Sequence, residues 1–326
     1  MEHVPATLSE KTFEPVNCLL CDTSRTRLIA EVGQFGWPTY VSICMTCGLV
    51  FLNPRWTKSD YDRFYATEYD QFYRFDAQEA AEKEQRKART VWQRLKEYTG
   101  GQFKSAMDIG CGLGWCLDTI RGQVPGLAIA GIEPSDYCAD HFTSRIGGEL
   151  VARDVDSDWQ AANQGRFDLI IFRHVLEHLL DPIEVLQKVN QALTPDGLVY
   201  IAVPDMMQPD GSLADFWYRC VHTYYYSEVT LSRIAARAEL MPLVIRSENS
   251  ELWGIFRKAD EARRDSARSV YRAQMRALRA YKRARLARRA LLALSPQRLT
   301  KLLPKTFKDL LPADVKKKFR HLIYRH

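Results

Sequence analysis

Residues 105–115, with the sequence SAMDIGCGLGW, constrain the fold more than any other stretch of this 326-residue chain. An apolar run leads into three glycines at alternate positions, Gly110, Gly112 and Gly114, and Asp108 stands two residues before the first. Glycines allow a sharp bend and a close approach of the backbone to a ligand, and the helix expected next offers unpaired N–H groups. The pattern therefore predicts an α/β fold in which a strand, a turn and a helix bind a polar ligand.

The spacing of Asp108 and these glycines differs from the G-x-G-x-x-G fingerprint of nicotinamide-binding proteins. It resembles motif I of the class I S-adenosylmethionine (SAM) methyltransferases. A carboxylate beside the glycines suits a sulfonium ligand with an amino acid group, whereas it would repel a pyrophosphate. The resemblance implies a Rossmann-like sheet that binds SAM at the turn, with Cys111 touching the cofactor through its position.

The next apolar run, residues 127–132, predicts a second strand with Glu133 at its end. An acidic residue about 20 positions after a glycine turn is placed to bond ribose hydroxyls; the alternative is a solvated charge. We expect Pro134 to open the following helix at its first position. Asp154 follows the short run 149–152 and is assigned to the adenine amino group, with a surface loop residue as a nearly equal alternative.

Four of the eight cysteines form two C-x2-C pairs, Cys18 with Cys21 and Cys44 with Cys47. Four thiolates at this spacing predict one tetrahedral, structural Zn2+ with no open coordination position, as in a zinc ribbon. The remaining cysteines are expected to be buried, inert thiols: Cys111, Cys116, Cys138 and Cys220.

The ribbon, residues 48–55 and the aromatic segment 61–70 together resemble a methyltransferase family with an N-terminal zinc-binding ribbon. Members of that family often act on sugars, polysaccharide precursors and other small metabolites. The resemblance places Tyr65 and Tyr69 near the methyl-donor pocket as substrate-binding residues; the alternative is that such tyrosines pack the ribbon against the main domain. The predicted domains are a zinc ribbon, a helical linker or lid, a SAM-binding domain and a basic helical tail, at 14–57, 58–101, 102–258 and 259–326.

Two further segments are similar to this family. Residues 173–182, RHVLEHLLDP, follow the apolar run 167–172 and match its LEH and DP positions. Residues 222–227, HTYYYS, resemble a segment that overhangs the acceptor pocket, which makes Tyr224 a substrate-binding candidate. Ser227 is expected to cap the next helix.

Methyl transfer requires in-line alignment, and a hydroxyl or carbon acid must also lose a proton. A histidine with a near-neutral pKa suits that task, so His222, His178 and His174 are the catalytic candidates, with His174 also a cofactor contact. For each of them the alternative is a hydrogen-bonded structural imidazole.

The C-terminal segment 260–326 contains 20 Lys and Arg against 5 Asp and Glu, whereas the whole chain has a net charge of +6. The preceding body is therefore acidic. Basic residues recur every three to four positions from Arg264 to Arg283, which predicts a helix. Such a basic amphipathic tail suits an anionic membrane surface; alternatives are packing on the body or a second subunit, and RNA binding.

No apolar run approaches the ~18 residues that a membrane span needs, and no hydrophobic block opens the chain. We therefore expect a cytoplasmic protein, with peripheral attachment at the inner membrane face through its tail. The predicted acceptor is a small molecule or glycan, namely a saccharide, nucleotide-sugar or lipid-linked glycan, methylated on oxygen or carbon. The alternatives are an RNA or protein methyltransferase and a SAM-binding scaffold without activity.

Overall fold

A computed structural model describes residues 11–68, 77–259 and 269–293. Two compact units divide the chain, Met1–Arg272 and Ala273–His326. The described strands are, in chain order, β1 (Phe13–Glu14), β2 (Thr26–Val32), β3 (Pro38–Cys44), β4 (Val50–Leu52), β5 (Arg55–Trp56), β6 (Ser105–Ile109), β7 (Ala128–Ile132), β8 (Glu149–Ala152), β9 (Phe167–Arg173), β10 (Leu193–Pro204), β11 (Tyr224–Tyr225), β12 (Leu240–Glu248) and β13 (Glu251–Lys258).

The helices of the described residues lie between these strands or follow them. They are α1 (Lys58–Thr67), α2 (Ala77–Thr99), α3 (Trp115–Arg121), α4 (Asp136–His141), α5 (Pro182–Ala192), α6 (Glu228–Arg237) and α7 (Tyr271–Ala293). The predicted helix in the charged segment before the glycine turn is confirmed as α2.

The first unit contains a seven-stranded sheet with the strand order β12-β13-β10-β9-β6-β7-β8. Strands β7 and β9 pair with β6 in parallel, as do β8 with β7 and β10 with β9. The hairpin of β12 and β13 closes one edge, where β13 runs antiparallel to β10. The α/β expectation with a mainly parallel sheet is confirmed, and the carboxyl ends of the parallel strands share one edge, where ligands of such sheets bind.

The central strands are buried on both faces because alternate side chains enter two different hydrophobic cores. In β9, Leu169 and Ile171 enter one core, which helices α2 and α3 cover. Ile170 and Phe172 enter the other core, together with residues of α5, α6 and the N-terminal cysteine region. The sequence of β9 is nearly continuously apolar because neither face of the strand is exposed to solvent.

The N-terminal region forms a four-stranded sheet in the order β11-β4-β3-β2. Three of its strands come from the first 52 residues, but β11 comes from the far segment that follows His222. Tyr224 pairs with Phe51 and Tyr225 with Val50 in antiparallel register. The cysteine region and the HTYYYS segment are therefore parts of one sheet.

Of the two helix starts predicted from the sequence, at Ser227 and at Pro134, one is confirmed and one is wrong. Ser227 caps α6 as predicted, and the hydroxyl of Thr230 accepts the backbone N–H of Ser227. The expectation that Pro134 begins a helix is wrong. Helix α4 begins at Asp136 because the side chain of Ser135 accepts the N–H of Cys138 and acts as the N-cap.

Helix α7 begins at the end of the first unit and lies mostly in the second. It confirms the predicted helix from Tyr271 onward, and the residues 260–268 and 294–326 of the predicted tail lie outside the described residues. Among the described helices, none combines the length and apolar character needed to cross a membrane.

Candidate active site

The glycine turn needs glycine at each alternate position, but for two different reasons. All three residues have a left-handed backbone, with φ of +71° at Gly110, +54° at Gly112 and +83° at Gly114. A Cβ at Gly110 would lie 2.6 Å from Val175 Cγ2, and one at Gly114 would lie 2.5 Å from Phe142 Cδ2. At Gly112, apart from its chain neighbours, no atom in the described part of the chain lies within 4 Å of that position. The outer glycines thus serve packing, whereas Gly112 borders open space.

Two carboxylates flank this space. Asp108, next to the end of β6, is only 4% exposed. Burial raises its pKa to about 7, the charge of Arg173 opposes the rise, and Glu133 adds to it. Glu133 follows β7, and its carboxylate accepts the N–H of Gly112 at 2.8 Å and that of Ser135 at 2.9 Å. Glu133 therefore joins the glycine turn to the start of α4.

Two other predicted cofactor residues occupy different surroundings. The thiol of Cys111 is buried, and a Cβ on Gly131 would lie 2.7 Å from its Sγ, so the side chain packs inward rather than into the open space. Asp154 is exposed, and its carboxylate accepts the N–H of Asp156 at 2.8 Å. Neither contact tests the cofactor roles assigned to these residues.

A cluster of aromatic side chains lies at the same edge of the sheet. The hydroxyl of Tyr65 and Nδ1 of His178 form a hydrogen bond of 2.9 Å. The rings of His178 and His222 meet edge to face, with centroids 4.8 Å apart. We call Tyr65, His178 and His222 the histidine cluster. It joins α1, the turn after β9 and the segment before β11, three parts that are distant in sequence.

The sequence Thr-Tyr-Tyr-Tyr after His222 explains how this cluster is held. Thr223 donates to the carbonyls of Glu177 and Leu179 at 3.0 and 2.6 Å. Tyr224 donates to the carbonyl of Leu180, and Tyr226 to that of Leu176, each at 3.2 Å. These carbonyls all belong to one short turn, residues 176–180, and hydrogen bonds to them satisfy buried backbone acceptors. The hydroxyls therefore fasten His222 beside His178.

Both imidazoles of the cluster are neutral at pH 7. Burial lowers the pKa of His178, with further lowering from the charges of Arg219 and His174, although Glu177 opposes the change. The pKa of His222 falls well below its usual value through burial and the same neighbouring cations. A neutral imidazole keeps one lone pair, so each ring can accept a proton or a hydrogen bond.

Glu177, which precedes His178 in the chain, is only 1% exposed. Its carboxylate, His178 and His222 each offer an oxygen or nitrogen within 4.8 Å of the others. Oε1 of Glu177 forms an ion pair with the imidazole of His174, whereas Oε2 has no hydrogen-bond partner among the described residues. A buried, unpaired acceptor of this kind is costly, which points to a polar ligand or water as its missing partner.

His174 differs from the other two histidines in charge. Its Nδ1 lies 3.4 Å from Glu177 Oε1, and its Nε2 lies 3.2 Å from Glu251 Oε2. Burial alone would lower its pKa, but the two carboxylates outweigh burial and raise the pKa to about 9. His174 also has a φ of +57°, a strained conformation for a residue with a side chain. It is therefore a cation at pH 7 without the lone pair that a base requires.

The predicted acceptor tyrosines fare differently. Tyr65 is part of the histidine cluster, as described above. Tyr224 is buried between Phe51 and Tyr226, with ring centroids 6.3 and 6.2 Å away, so the structure shows it in a packing role. Its hydroxyl donates to the Leu180 carbonyl, and the substrate-binding role of Tyr224 stays a prediction. Tyr69 lies outside the described residues.

Sequence reasoning missed the charged partners around this edge. Arg94 of α2 donates to Glu251 Oε1 at 2.6 Å and to Glu248 Oε2 at 2.8 Å. Arg173, the last residue of β9, forms an ion pair with Glu84 of α2. The signal for Arg173 was present, because a charged residue directly at the end of a fully apolar strand is placed at the ligand edge.

The four predicted metal-ligand cysteines come together in the structure, and their sulfur atoms lie within 4.8 Å of one another. Cys18 Sγ and Cys47 Sγ are 3.5 Å apart. Zn–S bonds of ~2.3 Å at tetrahedral angles would separate sulfurs by about 3.8 Å, so the arrangement fits such an ion. The backbone N–H groups of Cys47 and Leu49 point at Cys44 Sγ and Cys47 Sγ, as suits thiolates.

Part of the chain is similar in sequence to curated proteins. A ubiquinone biosynthesis O-methyltransferase of Haemophilus ducreyi is 28% identical over 107 residues, which cover 30% of this chain and 44% of that protein. The protein of the same name from Escherichia coli O7:K1 is 31% identical over 113 residues, which cover 33% of this chain and 46% of that protein. The chain thus spans less than half the length of these relatives.

Among solved structures, the 1,6-didemethyltoxoflavin-N1-methyltransferase of Burkholderia thailandensis aligns with a TM-score of 0.48 and 16% identity, over 65% of this chain and 96% of that one. Residues 79–243 match the family model described as a methyltransferase domain. The matched region is about half of the chain and contains the glycine turn, Glu133 and the histidines at 174, 178 and 222. This protein belongs to the methyltransferase domain family.

Proposed function

We propose that the protein is a SAM-dependent methyltransferase that acts on a hydroxyl or carbon acid of a small, polar acceptor. The observation that carries this proposal is the open space at Gly112, flanked by two carboxylates at the same sheet edge as the neutral histidine cluster. The family match supports the reaction class. The name of the curated relatives supports oxygen as the atom methylated in those proteins.

On the donor side, the residues present fit SAM by charge and shape. Gly112 leaves room for a ligand against the backbone, Asp108 offers a carboxylate to an ammonium group, and Glu133 stands at the ribose position. When bound, SAM supplies a methyl group already activated by its sulfonium. The protein's own task is then to align the acceptor and to take up its proton.

On the acceptor side, we assign that task to the histidine cluster. His222 and His178 keep a lone pair for the acceptor proton, and Tyr65 fixes the ring of His178. The cation His174 is placed to orient the acceptor or the donor rather than to act as the base. Oε2 of Glu177, which has no hydrogen-bond partner among the described residues, would accept a hydrogen bond from an acceptor hydroxyl, which favours a saccharide, nucleotide-sugar or lipid-linked glycan.

The test is transfer of labelled methyl from SAM to a panel of these acceptors, with His222→Asn as the variant. We expect kcat to fall at least 100-fold, the usual contribution of general-base catalysis, because Asn cannot take the proton. SAM affinity, measured by calorimetry, should stay within threefold. Unchanged turnover in both His222→Asn and His178→Asn would contradict the assignment, and wild-type protein that binds no SAM would contradict the proposed function.

Asp108→Asn should change stability and donor affinity in opposite directions. An unfolded Asp ionises near 3.9, so the raised pKa lets the folded protein hold this proton, and stability decreases as the pH rises through about 4 to 7. Above that window the Asn variant should be more stable than wild type by up to about 4 kcal/mol. Its SAM affinity at pH 8 should be at least 10-fold weaker, because a charge-assisted contact is lost.

Denaturation at pH 4 and pH 8, together with calorimetry at pH 8, measures both effects of the Asp108 change. Asp118→Asn on α3 is the matched control, since it removes a partly exposed carboxylate that pairs with Arg121. The control should alter neither quantity appreciably. A destabilised Asn variant with undiminished SAM affinity would show that Asp108 serves the fold alone.

We also propose that the four-cysteine site holds structural zinc and that the second unit contacts an anionic membrane surface. For the latter, truncation after Arg272 keeps the hydrogen bond from Val270 N–H to the carbonyl of Cys47. The truncated protein should bind SAM like the full chain and lose flotation with anionic liposomes. Equal flotation of both proteins would remove the membrane from the proposal.

A further inference from the structure

Arg173 is a largely buried cation at the ligand edge of the sheet. It ends β9, and its strand position shares a sheet face with Leu169 and Ile171, the face that α2 covers. Asp108 lies on the neighbouring strand β6 on the same face, and the two charges interact. A buried guanidinium is stable only when it is paired with anions, so what pairs with Arg173 matters for the site.

In the free protein the main partner of Arg173 is Glu84, from the second turn of α2. Burial raises the pKa of Glu84, but the charges of Arg173 and Lys87 outweigh it and lower the pKa, so the side chain is ionised. Lys87 Nζ also lies 2.8 Å from Glu84 Oε1, and the Glu84 side chain is 29% exposed. Glu84 thus reaches Arg173 from the helix that covers this face of the sheet, and Lys87 lies beside it as a second cation.

The charges at this place match one end of SAM. A donor with an amino acid group brings one ammonium and one carboxylate, attached to the same carbon atom. Asp108 offers a carboxylate for the ammonium, and Arg173 offers a planar fork that binds carboxylates through two parallel hydrogen bonds. If a ligand carboxylate replaced Glu84, the buried guanidinium of Arg173 would stay paired with an anion. Glu84 would retain its ion pair with Lys87.

We propose that Arg173 binds the carboxylate of the methyl donor and that Glu84 occupies its place in the free protein. This inference rests on the proposed SAM-dependent function. Glu84 then competes with the donor, so donor binding includes the release of one ion pair and its replacement by another. The two carboxylates exchange on one cation, so the Glu84–Arg173 ion pair is broken whenever the donor is bound, while the hydrophobic contact of α2 with this sheet face remains.

Two ligands that differ only in the carboxylate test this proposal: SAM and decarboxylated SAM. Calorimetry on the full chain gives the affinity of each. Wild type should prefer SAM at least 10-fold, and Arg173→Gln should remove that preference by weakening SAM alone, as expected for a charge-assisted pair. Glu84→Gln should strengthen SAM three- to tenfold without strengthening decarboxylated SAM, since only the carboxylate competes with Glu84.

Glu82→Gln is the matched control, because Glu82 lies on the same helix with a side chain that is 79% exposed. It should leave both affinities unchanged. The inference would be overturned if Arg173→Gln lowered the affinities for SAM and decarboxylated SAM equally, which would leave their ratio unchanged. SAM binding by the wild-type protein would still support the proposed function in that case. If Arg173→Gln fails to fold, the Glu84→Gln result decides, and equal SAM affinity in Glu84→Gln and wild type would overturn the inference.

Discussion

Gly112→Ala is expected to abolish methyl-donor binding in a protein that remains folded. The φ of +54° costs an Ala residue about 1 kcal/mol, which a domain of this size tolerates. Apart from the chain neighbours of Gly112, no atom of the described residues lies within 4 Å of the added methyl group, so their packing is not disturbed. The methyl group would instead fill the space assigned to the donor. SAM affinity by calorimetry should fall at least 100-fold, with the unfolding midpoint lowered by only a few degrees.

Gly126→Ala provides the control for backbone strain. Gly126 also has a left-handed backbone, with a φ of +81°, and lies in an exposed turn before β7. Beyond its chain neighbours, none of the residues that the structure describes has an atom within 4 Å of its Cβ position. The two variants should lose similar stability, and only Gly112→Ala should lose SAM. If both bind SAM as wild type does, the donor does not lie against Gly112. If both lose it equally, strain rather than occupied space explains the loss.

Cys44→Ser is expected to lower turnover more than 100-fold although Cys44 belongs to no part of the proposed reaction centre. Removing one of four thiolates releases the proposed zinc, whose binding supplies folding energy to the cysteine region. That region pairs with β11 through β4, and β11 follows His222 directly. Loss of the sheet would free His222 from its position beside His178. Metal analysis, thermal unfolding and methyl transfer measure the three steps separately.

Donor binding should survive in Cys44→Ser, because the glycine turn lies between β6 and α3, outside the four-stranded sheet β11-β4-β3-β2. Cys138→Ser is the matched control, since it changes a half-buried thiol on α4 that is not among the four clustered cysteines. It should retain zinc, stability and turnover. Full turnover by a zinc-free Cys44→Ser protein would show that the ribbon does not position the acceptor side.

The features predicted correctly from the sequence are those that short-range patterns determine. A buried parallel strand must be apolar at nearly every position, so residues 167–172 are recognisable without their neighbours. The glycine turn and the paired cysteines are likewise defined by spacing within a few residues. The error at Pro134 was also local: Ser135 and Pro134 both favour a helix start, and the side-chain acceptor of Ser135 prevailed.

The parts that were missed depend on strand order. Glu251 holds His174 from 77 positions away because β13 runs antiparallel and therefore begins where the parallel strands end. Nothing near residue 251 in the sequence reveals this direction. The pair of Arg173 and Glu84 similarly requires knowing which sheet face α2 covers. The raised pKa of His174 follows from Glu177, which is near it in the sequence, and from Glu251, which only the strand order brings close.

The pairing of β11 with β4 also bears on how the chain is made. Until residues 224–225 leave the ribosome, β4 pairs with β3 alone and is an unpaired edge strand. The unpaired backbone groups of such an edge strand promote aggregation with other chains. The cysteines can gather a metal ion early, but the sheet around them stays unfinished until some 170 further residues have been synthesised. Nascent chains halted before that point should therefore carry metal, aggregate readily and recruit chaperones.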